Sequence, residues 1–240
     1  MADLRIEAAE QLARDLGHPH IKAAAVDATS PESLRAVMKG ADVVLNCVGP
    51  FYRFGPPILE AAIASGVDYV DICDDLAPTR HMLELDQAAK DANVRCLIGM
   101  GNSPGFANVF VKLCADQLLD TVESADIMHI HGGEPEEGPA VIKHRIRAML
   151  DDVPLFIDGK MQFVRQLDES GQAFVTDTEF HSIGTFPVFP YPHPETITLP
   201  QHIPGLQRAT NMGSIFPLSY FKLTQDMVRV GACGEEPIEV

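Results

Sequence analysis

Three short runs bring acidic, amide and small residues together directly after apolar segments: Asn46-Cys47-Val48-Gly49-Pro50-Phe51, Asp71-Ile72-Cys73-Asp74-Asp75 and Gly99-Met100-Gly101-Asn102-Ser103-Pro104-Gly105. Glycines at 49 and 101 allow a ligand to come against the backbone. Ser103-Pro104 is expected to cap a following helix, whose free N–H groups can receive a carboxylate or a phosphate. One such loop is ordinarily a turn, but three at successive strand ends describe the ligand-binding edge of an open α/β sheet. A second chemistry resides in Lys143-His144-Arg145-Ile146-Arg147, basic residues in an acidic chain. There His144 suits acid–base work near neutrality and Arg147 suits a bidentate carboxylate clamp; the competing reading is a solvated basic helix face.

Other groups weigh less. His129 and His131 fall on one face of an expected strand, but no third ligand accompanies them in sequence, so a sheet-surface role is favoured and no metal is expected. Glu134, Glu136 and Glu137 read as solvated loop charge. Tyr52, Asp74 and Asp75 are cleft candidates without a role. Cys47, Cys73, Cys96, Cys114 and Cys233 stand apart with no CxxC spacing, which argues against a zinc knuckle or redox dithiol. Cys47 and Cys73 lack an identifiable base, and an odd set of isolated thiols fits a reducing cytoplasm.

The elements that must position these residues alternate in period. Residues 4–16 carry a helical apolar face stopped by Gly17; 21–26 read as a strand; Ser30-Pro31 opens a helix running to Lys39. Residues 42–48 form an apolar run expected to be a strand buried on both faces. A helix at 55–65, a strand at 67–72, a helix near 79–92 and a strand at 94–100 complete the cycle. Alternation with short loops predicts a parallel sheet with right-handed crossovers. After a helix near 104–119 come a strand at 123–131, a helix ending at Leu150, a hairpin about Asp158-Gly159 and a proline-rich stretch. These predict an α+β domain with an extended antiparallel sheet and a last helix from Pro217. The expected division is 1–120 and 121–240.

A net charge of −16 disfavours a nucleic-acid backbone as partner. No apolar run approaches the roughly 20 residues that cross a bilayer, and the first residues do not resemble a secretory signal.

The stretch ADVVLNCVGPFYRFGPPILEAAIASGVDYVDICDD resembles the saccharopine dehydrogenase family, with its VGPF-x-x-x-G loop followed by G-x-x-Y-x-D. VDATSPESLRAVMKGAD upstream and GMGNSPGFANV downstream extend the likeness, and residues to about 215 resemble the lysine dehydrogenase and saccharopine reductase-like branch more loosely. The resemblance implies a Rossmann domain binding NAD or NADP, an α+β substrate and dimerisation domain, a homodimer, and hydride exchange at a carbon bonded to nitrogen in an amino-acid-derived substrate. It assigns cofactor contacts to Asp3, Arg5, Asp27, the residues Asn46, Cys47, Val48, Gly49, Pro50 and Phe51, then Asp71 and Gly101. Substrate contacts fall to Ser103, Pro104 and Gly105; the looser resemblance sets the helix of His144 and Arg147 near the substrate cleft, where their chemistry makes Arg147 the candidate substrate clamp and His144 the candidate for proton handling.

No G-x-G-x-x-G occurs, and Met-Ala-Asp-Leu-Arg matches the end of the family's second strand, where Asp3 would meet ribose hydroxyls and Arg5 a 2′-phosphate. The expected sheet is therefore an incomplete Rossmann fold lacking its first strand and glycine-rich loop, with strands three and four unbridged, and the second domain is expected to stop short. A non-catalytic dimerising remnant, or an enzyme of this fold that has dispensed with the dinucleotide, are the rival readings.

Overall fold

The computed structural model describes residues 1–132 and 138–232. The chain divides into two compact units, the first comprising Met1–Cys73 with Ala77–Met100 and the second Asp74–Leu76 with Gly101–Val240.

The first unit runs β1 (Ala2–Asp3), α1 (Ile6–Leu16), β2 (Ala24–Ala25), α2 (Pro31–Met38), β3 (Val43–Asn46), α3 (Phe51–Ser65), β4 (Asp68–Asp71), α4 (Leu76–Glu84), α5 (Asp86–Asp91) and β5 (Cys96–Leu97). Its strands are parallel throughout, in two sheets: β1 with β2, and β3-β4-β5. No strand among the described residues joins β2 to β3, the pair expected to be unbridged. The stop and start signals act as their chemistry dictates. Gly17 takes φ 60 and donates its N–H to the carbonyls of Ala13 and Arg14, while Ser30 accepts from the Ser33 N–H with Pro31 in the first turn. The core gathers Leu34, Met38, Ile58, Leu59, Ala62 and Tyr69.

Three local expectations change. β3 is covered on one face only: Val44 and Asn46 point inward, whereas Val43 and Leu45 are 54% and 65% exposed. An unbroken apolar run does not distinguish two covered faces from one. Helix α3 begins at Phe51, not 55, and carries Pro56 and Pro57 inside it. The Pro50 carbonyl closes its first turn by accepting from Arg53 and Phe54, and buried Phe51 and Ile58 hold it there, so packing overrides the preference of proline for a helix start. The helix expected near 79–92 is two helices, separated at Leu85.

The second unit contains α6 (Phe106–Gln117), β6 (Ser124–Gly132), α7 (Pro139–Leu150), β7 (Asp152–Ile157), β8 (Lys160–Arg165), α8 (Glu169–Gln172), β9 (Thr176–Phe180), β10 (Gly184–Pro190), α9 (Glu195–His202), β11 (Arg208–Phe216) and α10 (Leu218–Arg229). The β7–β8 hairpin turns at Asp158 and Gly159 with φ 51 and 70, the two left-handed residues a type I′ turn requires. The sheet is mixed, which corrects the antiparallel expectation. Strand β11 runs parallel to β6 from Ser124↔Arg208 to Gly132↔Phe216, and antiparallel to β10 and β7. A parallel pair needs a long crossover, and which distant strand closes it is not written in local periodicity. Pro217 caps α10.

Candidate active site

In the second unit, β6 and β11 set the floor. Their register pairs Ile127 with Asn211 and His129 with Gly213, so these four share one face. Gly213 permits the arrangement, since a Cβ there would lie 2.3 Å from His129 Nε2. The His129 ring stacks on His193 at 5.4 Å, meets His131 edge-on at 4.8 Å and meets Tyr191 at 5.2 Å. His193 is held by its backbone, donating N–H to the Tyr191 carbonyl and accepting at its own carbonyl from Thr196 Oγ1.

Behind His193 lies a buried carboxylate. Glu195 is fully buried; its Oε1 accepts from Ser103 and, at 3.3 Å, from Asn211 Nδ2, while Oε2 stands 4.0 Å from His193 Nδ1 without a hydrogen bond. Ser103 Oγ is also 3.5 Å from His193 Nδ1. Burial raises the Glu195 pKa even against the Ser103 bond, and burial holds His193 well below the ordinary imidazole value. His129 is lowered to about 3, first by burial and then by the neighbouring histidines.

The third side is α7. It carries His144, whose Nδ1 is 2.7 Å from Asp75 Oδ1 and whose Nε2 is 3.5 Å from Asp74 Oδ2. Burial alone would lower the His144 pKa, but Asp75 and Asp74 together outweigh it and the net direction is upward. Burial pushes Asp74 up in turn. Next to this group lies a cavity of about 460 Å³ with a mainly apolar lining that includes Phe106, Phe110 and Ile127, and with Ser103, Asp126 and His129 among its polar members.

Several sequence expectations change here. The basic run on α7 is no solvated face: Arg145 is buried, 5.8 Å from the Tyr220 ring, and His144 lies inside the group described. Arg147 pairs with Asp151 Oδ2 at 3.4 Å, one turn along its own helix. Ser103 does not cap α6. Gly105 occupies the N-cap and its N–H donates to Asn108 Oδ1, which leaves Ser103 to bond Glu195. Pro104 and Gly105 are buried and Gly101 bridges to Gly105. His129 and His131 do share a face, and the fold adds His193 and Glu195, which sequence reasoning missed. The signal was present as Tyr-Pro-His-Pro-Glu, an imidazole and a carboxylate fixed by flanking prolines. Glu134, Glu136, Glu137 and Cys233 lie outside the described residues.

In the first unit the strand-end residues hold the loops in place. Asn46 Nδ2 donates to Tyr69 Oη and its Oδ1 accepts from the Val48 N–H. Asp71 accepts from Tyr69 Oη, the Cys73 N–H and the Gly99 N–H. Burial first, then the charge of Asp71, drives the Tyr69 pKa upward. Cys47 is exposed, Val48, Gly49 and Pro50 are half-buried, and Phe51 packs into the core. Cys73 is buried beside Thr79. Asp3 accepts from the Arg5 N–H, leaving the Arg5 side chain 81% exposed. Asp27 closes its own turn through Thr29, which lowers its pKa.

No helix among the described residues is long and apolar enough to cross a membrane. Residues 1–97 match the family model described as the saccharopine dehydrogenase NADP binding domain. Over 220 residues, 87% of this chain and 54% of the relative, the sequence is 26% identical to a carboxyaminopropylagmatine dehydrogenase of Synechocystis sp.. Over 70 residues, 28% of this chain and 16% of the relative, it is 37% identical to a saccharopine dehydrogenase-like oxidoreductase of Mus musculus. A trans-acting enoyl reductase of Mycobacterium leprae is 34% identical over 87 residues, 35% of this chain and 21% of that one. The fold matches the L-Glu-forming saccharopine dehydrogenase of Saccharomyces cerevisiae with a TM-score of 0.64 and 20% identity, over 88% of this chain and 48% of that one. The chain thus spans about half the length, or less, of these relatives. Residues 1–97 thus match the NADP-binding domain of the saccharopine dehydrogenases, and the chain is similar in sequence to a dehydrogenase along most of its length and in fold to a saccharopine dehydrogenase.

Proposed function

We propose that the protein is an NAD(P)-dependent oxidoreductase acting on a C–N bond of an amino-acid-derived substrate, with His144 as its proton-handling residue. The observation that carries this reading is the buried Asp75–His144 contact of 2.7 Å. Asp75 occupies Nδ1 and so fixes the ring, leaving Nε2 as the edge that exchanges a proton with the substrate nitrogen. The dinucleotide, when bound, supplies or accepts the hydride.

The first unit supports the cofactor assignment through its family match and its parallel strand ends. Asp3 and the exposed Arg5 close β1, the edge at which a ribose or its 2′-phosphate is read. Asn46 and Asp71 shape the loops and leave the backbone of 47–50 to approach the cofactor. In the second unit, the apolar cavity beside Ser103 and His129 suits an aliphatic chain. The relative that aligns over 87% of the chain is named for an agmatine derivative, a compound with nitrogen-bonded carbons, which makes amine conjugates of this kind the first substrates to test.

The test is a fluorescence titration of the purified chain with NADPH and NADH, followed by hydride-transfer assays with amine conjugates. The expected result is micromolar binding and turnover that falls on His144→Gln while dinucleotide affinity holds. No dinucleotide binding would overturn the reading in favour of a non-catalytic module.

A further inference from the structure

We propose that the second unit holds a binding site for one divalent transition-metal ion, zinc by its donor set, formed by Asp74, His144 and His193. One donor atom from each of these residues lies within 4.8 Å of the other two. His144 Nε2 already stands 3.5 Å from Asp74 Oδ2. Donors around a tetrahedral zinc with bonds of about 2.1 Å are separated by about 3.4 Å. That pair therefore needs no adjustment, and only the His193 ring has to close, by roughly 1 Å.

The second observation is what stands behind each imidazole. Metal-ligating histidines commonly direct their other ring nitrogen to a carboxylate, which fixes the tautomer and aims the lone pair. His144 has Asp75 on Nδ1 at 2.7 Å, and His193 has Glu195 Oε2 at 4.0 Å and Ser103 Oγ at 3.5 Å on its Nδ1. His144 is thus backed directly by a carboxylate and His193 through the Ser103 hydroxyl, which itself bonds Glu195, and each ring has a second nitrogen for a ligand. The third observation is the wall. His129 stacks on His193 with neither ring nitrogen hydrogen-bonded, among the described residues, and both shielded from solvent. Two imidazoles and one carboxylate suit zinc, cobalt or nickel, not magnesium or calcium, which take several oxygens. Three protein donors leave a fourth position open to water or a substrate atom.

The inference does not rest on the dehydrogenase reading, because binding is measured without substrate or dinucleotide. The two meet at His144: a bound ion occupies Nε2, so zinc is expected to inhibit turnover. The test uses the metal-free 240-residue chain with its thiols alkylated, titrated with Zn²⁺ against a chromophoric chelator, with Co²⁺ as a spectroscopic probe. One equivalent is expected, with the intense visible bands of tetrahedral cobalt. Asp74→Asn and His193→Gln should abolish those bands and weaken zinc at least 100-fold. Asp75→Asn should weaken it about 10- to 100-fold, as loss of an orienting partner does, and His202→Ala should change nothing. Circular dichroism reports folding, and the half-exposed Asp74 carries the test if the His193 variant does not fold. Less than one equivalent, binding lost on alkylation, or unchanged affinity in Asp74→Asn would each overturn the proposal.

Discussion

Two buried carboxylates, one in each unit, are treated in opposite ways. In the first unit Asp71 is fully enclosed and takes bonds from two backbone N–H groups and a tyrosine hydroxyl, so its oxygens hold the strand-end loops. In the second unit Glu195 is equally enclosed, yet it uses one oxygen and leaves the other without a hydrogen bond. His129 and Asn211 nearby also keep unbonded polar atoms. A buried polar atom without a partner costs about 1–3 kcal/mol, so such a concentration is expected where a ligand completes the bonding. Around Asp71 the first unit satisfies its carboxylate within the protein; around Glu195 the second keeps polar capacity in reserve.

Substitution can break or sharpen that contrast. The largest effect is expected at His144: glutamine there should lower kcat by about 10²–10⁴, the range for a general acid–base group, with dinucleotide affinity unchanged by fluorescence titration. Next comes Asp71→Asn, which turns one acceptor oxygen into a donor facing donors. It should cost about 3 kcal/mol in denaturant unfolding, and an effect under about 1 kcal/mol would show that the loops are held by other means. Gly213→Ala should follow at about 1–3 kcal/mol, the usual cost of overpacking, because its Cβ would meet the His129 ring. The smallest effect is expected for Glu195→Gln. Its carbonyl can keep the Ser103 and Asn211 bonds made at Oε1, so the unfolding free energy should move by less than about 1 kcal/mol. A loss as large as that of Asp71→Asn would erase the distinction between the two carboxylates.

Local chemistry was readable wherever it acts over a few residues. Gly17 as a helix stop, Ser30-Pro31 as a helix start, Asp158-Gly159 as a tight turn and Pro217 as a cap are all decided by neighbours in sequence. Exposure of Val43 and Leu45 was not readable, since apolarity records what a face prefers and not whether anything covers it. The candidate site was half visible. His144 and the 129/131 pair stand out by type and spacing, but Asp74, Asp75, His193 and Glu195 meet them only through long-range placement. No periodicity encodes a separation of that length. Ser103 was noticed for the wrong reason: a serine before a proline suggests a cap, and the glycine two residues later takes that position instead.

The loop after β4 supplies Asp74–Leu76 to the second unit although the chain on both sides belongs to the first. Function here does not follow the linear boundary between modules. A graft that transplanted 101–240 onto another cofactor unit would leave Asp75 behind and separate His144 from the group that orients it. Any exchange of the second unit, in the laboratory or in descent, has to carry that tripeptide along or reinvent it in the recipient.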